Sequence, residues 1–173
     1  MPTSYQAPRK KDAEKSTTYS QSSASNMSDE NTKIQAILSR KGEDVFSIGP
    51  DDTLGDAVQI LRDRRIGALV VTNDVGGLIG ILSERDIVRK LAETPGKTLP
   101  QRVEEVMTSN VQTCTPDDSL IAVMSRMSEG RFRHMPVMKG DKLAGMITIG
   151  DVVNHRLTEL EHEALQLKQL IVG

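Results

Sequence analysis

Residues 45–93 read VFSIGPDDTLGDAVQILRDRRIGALVVTNDVGGLIGILSERDIVRKLAE, and residues 111–159 read VQTCTPDDSLIAVMSRMSEGRFRHMPVMKGDKLAGMITIGDVVNHRLTE. Laid together, Val45 meets Val111, Pro50 meets Pro116, and Asp51-Asp52 meet Asp117-Asp118. Leu54 then meets Leu120, Arg65 meets Arg131 and Val71 meets Val137. The first copy carries one extra loop residue, after which Gly80 meets Gly145, Asp86 meets Asp151 and Val88 meets Val153. An internal repeat constrains the whole fold. Each copy, about fifty residues, is near the lower limit for folding alone, so two copies packed face to face should share a core that neither could build singly.

Within each copy the pattern is strand, helix, strand, strand, helix. Leu54, Ala57, Val58 and Leu61 fall at i, i+3, i+4 and i+7, as do Leu120, Val123, Met124 and Met127. Pro-Asp-Asp-Thr and Pro-Asp-Asp-Ser precede these helices and supply acids and a hydroxyl where the first amides lack partners. Residues 66–72 are β-branched and apolar and read as a buried strand. Asn73 to Gly77 and Lys139 to Lys142 are hairpin turns. Residues 78–82 and 143–147 are the return strands, and a second helix begins near Ser83 or Thr148. The expected class is α+β: two βαββα repeats packed pseudo-symmetrically through their sheets.

Around the repeats, residues 1–31 are rich in Ser, Thr, Lys and Gln and read as a disordered tail. Its Pro8-Arg9-Lys10-Lys11 run reads as a solvated stretch. Residues 32–97 hold a lead-in helix, with Ile34, Ile37 and Leu38 on one face, and repeat one; residues 98–158 hold a linker and repeat two. Residues 159–173 extend the last helix. Leu157, Leu160, Ala164, Leu167 and Ile171 alternate spacings of three and four, a seam of about two heptads that suits a partner helix and self-association.

Composition narrows the function. A net charge of -2 offers no basic field to nucleic acid, and aromatics at 2% offer no stacking platform. One cysteine forbids an internal disulfide, and Cys114, aligned with Ile48, reads as a small buried hydrophobe. There is no apolar run of membrane-spanning length and no signal-peptide core after Met1, so the expected location is cytoplasmic. His155 and His162 share a helix without a third ligand, and neither a Walker loop nor a nucleophile elbow is present. The expectation is a non-enzyme that needs no metal.

The chemistry concentrates in GILSERD (residues 80–86) and GMITIGD (residues 145–151), each a strand entering a helix with a hydroxyl three residues before a carboxylate. One reading is a capping box, in which Ser83 or Thr148 caps and the acid reaches back to the first amide. The other is a nucleotide site: helix-start amides attract phosphate, and a fixed carboxylate accepts both hydrogens of a ribose diol. The two roles are compatible. Recurrence at one place in both copies favours the second.

Together with the VxxxxPDD[TS]L opening and the Met135-Pro136-Val137 strand, these motifs resemble the CBS domain (named after cystathionine β-synthase), present as a tandem pair over residues 45–157. The resemblance implies two clefts for adenosine ligands: AMP, ADP or ATP, NAD(H), or S-adenosylmethionine. It also implies a flat homodimer and a regulated protein not named by the sequence. Carried over by residue, Asp86 and Asp151 would each hold a ribose, with Ser83 and Thr148 beside them. Gly150 would let backbone approach the ligand, where Arg85 offers charge instead. Arg131, Arg133 and His134 would meet phosphate, with Met135 on the same strand, and Thr108 would touch base or sugar. Arg131 also reads as a helix-end charge and His134 as a core histidine. The first copy has Gly67-Ala68 and Val70 where the second has Arg133-His134 and Pro136, so the clefts should be unequal in charge. The function expected is a non-catalytic nucleotide sensor; the alternative is a dimerisation module with vestigial clefts.

Overall fold

The computed structural model describes residues 32–172; the expected disordered tail and its basic run lie outside the described residues. In chain order the elements are α1 (Ile34–Lys41), β1 (Ser47–Ile48), α2 (Leu54–Arg64), β2 (Ala68–Thr72), β3 (Leu78–Ser83) and α3 (Glu84–Glu93). A 3₁₀ turn (Val103–Glu105) follows, then α4 (Leu120–Gly130), β4 (His134–Lys139), β5 (Lys142–Thr148) and α5 (Ile149–Val172). The βαββα order is present in the first repeat. β1 runs parallel to β2, with Ile48 opposite Val71, and β2 pairs antiparallel with β3. In the second repeat the opening strand shrinks to one parallel bridge, Cys114 to Val137, at the matching position. Cys114 N–H donates to the Pro136 carbonyl at 3.1 Å, and Met138 N–H donates to the Cys114 carbonyl at 2.8 Å.

The helix starts follow the local sequence. Thr53 and Asp56 form a reciprocal capping box at α2, and Ser119 accepts the Ala122 amide at α4. α2 buries Leu54, Ala57 and Leu61, and α4 buries Leu120, Val123 and Met127. Val58 and Met124, expected on the same face, lie at its margin and remain 37% and 41% exposed.

Two cores result. One gathers Ile48, Leu54, Leu61, Leu69, Val71, Leu82 and Val103; the other gathers Ile34, Leu38, Val123, Met127, Met135, Val137 and Ile147. Leu69 and Val71 face the first core along β2, yet the alternate residues Ala68 and Val70 are buried too. On β4 the same holds for Pro136, between the core residues Met135 and Val137. A strand buried on both faces needs a second layer over its outer side. The second repeat stands on that side: Ala68 of β2 and His134, Met146 and Thr148 of β4 and β5 border one cavity.

The lead-in helix crosses over. Ile34, Ile37 and Leu38 of α1 sit in the second repeat's core, although they precede the first repeat in the chain. Backbone bonds fix this docking: Ile34 N–H to Asp118 O at 3.1 Å, Gln35 N–H to Pro116 O at 2.9 Å and Leu120 N–H to Thr32 O at 2.9 Å. The linker repeats the pattern on the first repeat. Val103 N–H reaches Asp52 O at 2.9 Å, Glu104 N–H reaches Pro50 O at 3.0 Å, and Leu54 N–H reaches Gln101 O at 2.9 Å. The glycines agree. A Cβ on Gly145 would come within 2.6 Å of Leu38, and one on Gly80 would collide with Met107 in the matching place. The structural repeat therefore begins about ten residues before the sequence repeat is visible.

Candidate functional site

Two cavities lie between the repeats, each of about 540 Å³. Both are bordered by Gly67 and Glu84 from the first repeat and by Arg133 and His134 from the second. A Cβ on Gly67 would stand 3.2 Å from the His134 ring, so the absence of a side chain there lets the imidazole sit between the clefts.

The first cleft brings together seven of the residues expected from sequence: Ser83, Arg85, Asp86, Thr108, Arg131, Arg133 and His134. Ser83 caps α3 as the capping-box reading requires. Its N–H and Oγ–H both donate to Asp86 Oδ2, at 2.9 and 2.6 Å, and its Oγ accepts the Asp86 amide at 3.4 Å. All of this uses one carboxylate oxygen. Among the described residues Asp86 Oδ1 makes no hydrogen bond and Asp86 no ion pair. Thr108 is held by a backbone pair with Ile81 at 3.0 and 2.9 Å. Arg85 Nη1 donates to the Arg131 carbonyl at 2.6 Å and so ties the first repeat's helix start to the second repeat's helix end. With Arg89, four guanidiniums face two carboxylates, Glu84 and Asp86, around this cleft. Such a border suits phosphate oxygens.

The second cleft is built differently. Thr148 and Gly150 line it beside Arg133 and His134, together with Lys41 and Arg65. Asp151 does not. Its Oδ2 accepts the Thr148 amide at 2.8 Å and pairs with Lys41 Nζ at 2.6 Å, while the same ammonium donates to the Met146 carbonyl at 2.9 Å. The lead-in helix thus places a cation on the second carboxylate, where the first has none among the described residues. Arg40 and Lys41 border a smaller depression of about 190 Å³ that includes Asp151 and His155. Met135 lines neither cleft; it is fully buried in the second core. The sequence reading missed Lys41, Glu84 and Arg89 on these borders. Arg89 was within reach of it, since it follows Asp86 by three residues and shares its helix face.

Arg131 and Arg65 have equivalent places and an unusual backbone. They close α4 and α2 at φ 54° and 53°, in the left-handed region. Phe132 N–H reaches back to Met127 O and Ile66 N–H to Leu61 O, both at 3.1 Å, which completes the helix ends. A non-glycine side chain there costs roughly 1 kcal/mol or more. Arg131 is both a helix terminus and a cleft residue. Arg131→Gly should therefore stabilise the free protein by up to ~1 kcal/mol, read as a higher urea midpoint. The same change should weaken an anion in the first cleft. A variant neither more stable nor weaker in anion binding would count against both parts.

Burial pushes the His134 imidazole below its usual pKa, with Arg133, Lys41 and Arg85 adding to the effect and Asp151 opposing it. The folded protein then holds fewer protons than the unfolded chain from about pH 6.5 downward, through the lowered value. Stability should accordingly fall as pH drops below about 6.5 and be flat above it. Replacing His134 by Gln should flatten the melting temperature between pH 7 and 5.5; an unchanged slope would reject His134 as its source. Cys114 is 2% exposed, and burial raises its thiol to about 11, as befits a packing residue.

Among the described residues no three of His, Cys, Asp and Glu cluster to hold a metal ion, and no helix is long and apolar enough to cross a membrane. The profile of the CBS domain matches residues 29–93 and 103–158. The chain is 33% identical over 152 residues to an Arabidopsis thaliana protein named CBS domain-containing protein CBSX3, mitochondrial, covering 83% of this chain and 74% of that one. A solved CBS-domain containing protein from Agrobacterium tumefaciens is 43% identical and superposes with a TM-score of 0.71, over 73% of this chain and 94% of that one. The CBS domain pair of protein MJ0100, solved in complex with 5′-methylthioadenosine and S-adenosyl-L-methionine, is 25% identical. It superposes with a TM-score of 0.66, over 74% of this chain and 98% of that one. Duplicated βαββα units, facing sheets, paired clefts and these matches agree: the chain belongs to the CBS-domain family, as a tandem pair.

Proposed function

We propose that this chain is a non-catalytic regulatory module that binds an adenosine nucleotide, chiefly in the first cleft, and signals its presence by a change in shape or partner affinity. One observation carries the reading. The first cleft joins a carboxylate with a free oxygen, Asp86, from one repeat to Arg131, Arg133 and His134 from the other. A ribose diol and a phosphate are the two ends of a nucleotide, and this border offers a partner for each. The MJ0100 pair holds adenosine compounds, which supports the ligand class. The guanidiniums favour AMP, ADP, ATP or NAD(H) over the sulfonium of S-adenosylmethionine, since a cation meets four guanidiniums against only two carboxylates here. A ligand shifts a conformational equilibrium only by its differential affinity for the two states, and a cleft made by both repeats provides that difference if the repeats move.

At a hundredfold excess over Kd a bound nucleotide stabilises the fold by about 2.7 kcal/mol, a melting shift of several degrees. A melt against AMP, ADP, ATP, NAD(H) and S-adenosylmethionine should show it for at least one phosphate-bearing ligand. Silence from all five would leave the rival reading, a structural module with vestigial clefts. That rival draws on the Lys41–Asp151 pair, which already sets an ammonium on one oxygen of the second carboxylate.

A further inference from the structure

We propose that α5 pairs with the α5 of a second copy as a parallel, in-register, two-stranded coiled coil. The helix has two apolar or mixed faces with different fates. Val152, 2% exposed, packs into the second core, His155 Nδ1 lies 3.4 Å from Arg40 Nη1, and Glu159 Oε1 accepts from Thr32 Oγ1 at 3.2 Å. That face is satisfied within the chain. The other carries Val153, Leu157, Leu160, Ala164, Leu167 and Ile171 at steps of four, three, four, three and four, the a/d spacing of a heptad. Their side chains are open to solvent: Leu157 at 53%, Leu160 at 44%, Leu167 at 60% and Ile171 at 83% exposure. Continuous apolar surface of this kind marks an interaction site.

The flanking charges choose the occupant and its direction. With Leu157, Ala164 and Ile171 at a, the g positions hold Arg156, Glu163 and the apolar Leu170, and the e positions hold Asn154, Glu161 and Lys168. In a parallel pair each g residue meets the e residue five places on in the other helix. Arg156 then meets Glu161 of the second copy, and Glu163 meets Lys168 of the second copy. Both pairs attract. An antiparallel pair with the same seam matched, Leu160 opposite Ala164 and Leu157 opposite Leu167, brings Glu161 to Glu161 and Glu163 to Glu163. Both pairs repel. In the register that overlaps the seam fully, the helix sequence is therefore complementary to itself in the parallel direction only. This inference stands whether or not the clefts bind nucleotide.

The full chain should sediment as a species of twice 19.0 kDa that dissociates on dilution. Mild oxidation of Leu167→Cys should give a self-disulfide, because d residues lie opposite each other only in the parallel arrangement; buried Cys114 does not compete. Glu163→Lys should weaken association about tenfold, and adding Lys168→Glu should restore it, while the circular dichroism of each variant stays that of the parent. A monomer at every concentration would overturn the proposal, as would a monomer that captures a different protein on this helix. A dimer indifferent to Glu163→Lys, or one that cross-links Leu157→Cys to Leu167→Cys instead, would overturn it as well.

Discussion

Asp86→Asn is expected to remove most of the nucleotide-induced melting shift while leaving the free protein's melting temperature within a degree or two. The substitution keeps size and one carbonyl oxygen, which can still accept the Ser83 amide and preserve the start of α3. It replaces the other oxygen by an NH₂ group, a donor where a ribose hydroxyl needs an acceptor. Hydrogen bonds to a charged group contribute about 1.5–3 kcal/mol, so affinity should fall tenfold to more than a hundredfold, read by calorimetric titration. Asp151→Asn should matter much less for the same ligand. Its carboxylate is held by Lys41 at 2.6 Å and stands off the cleft border. Equal losses for the two variants would show that Lys41 swings away and that the clefts act alike. A free protein that collapses on Asp86→Asn would show the acid to be chiefly a cap.

The second large effect is structural. Leu38→Ala should destabilise the protein by about 3 kcal/mol, within the range for a fully buried leucine, and lower the melting temperature by on the order of 10 °C. Leu38 is 1% exposed and packs against Gly145, Val137 and their neighbours in the second core. A residue that precedes the first repeat should thus loosen the second. Hydrogen exchange should locate the lost protection in β4 and β5 before β2 and β3. Leu99→Ala, at a site 48% exposed, serves as the control and should cost less than about 0.5 kcal/mol. A small loss at Leu38, or exchange that rises first in β2 and β3, would contradict the crossed-over packing.

Much of this molecule is local in origin. The periodicity of residues 54–61 and 120–127, the Asn73–Gly77 and Lys139–Lys142 turns and the hydroxyl-acid helix starts each fix an element through contacts a few residues long. The duplication then sets the class, since two equal half-sized units must complete each other. The Ser83–Asp86 capping box was legible for the same reason, although Thr53–Asp56 makes a like box at an exposed helix end. The spacing describes a helix start, and only position makes it a candidate site.

Position was beyond the sequence. Nothing in residues 32–41 says that α1 will serve the second core instead of the first, because that choice depends on which gap the folded partner leaves open. The same choice carries Lys41 onto Asp151, while among the described residues Asp86 has no cation paired with it. The repeat thus determined two equivalent carboxylates at two helix starts; the tertiary structure decided that they are unequal. It also joined the first repeat's acid to the second repeat's arginines in one cavity, a meeting of residues some fifty positions apart. Local patterns record what a segment does with its own backbone, whereas a cleft is made of surfaces that meet only after the chain has closed.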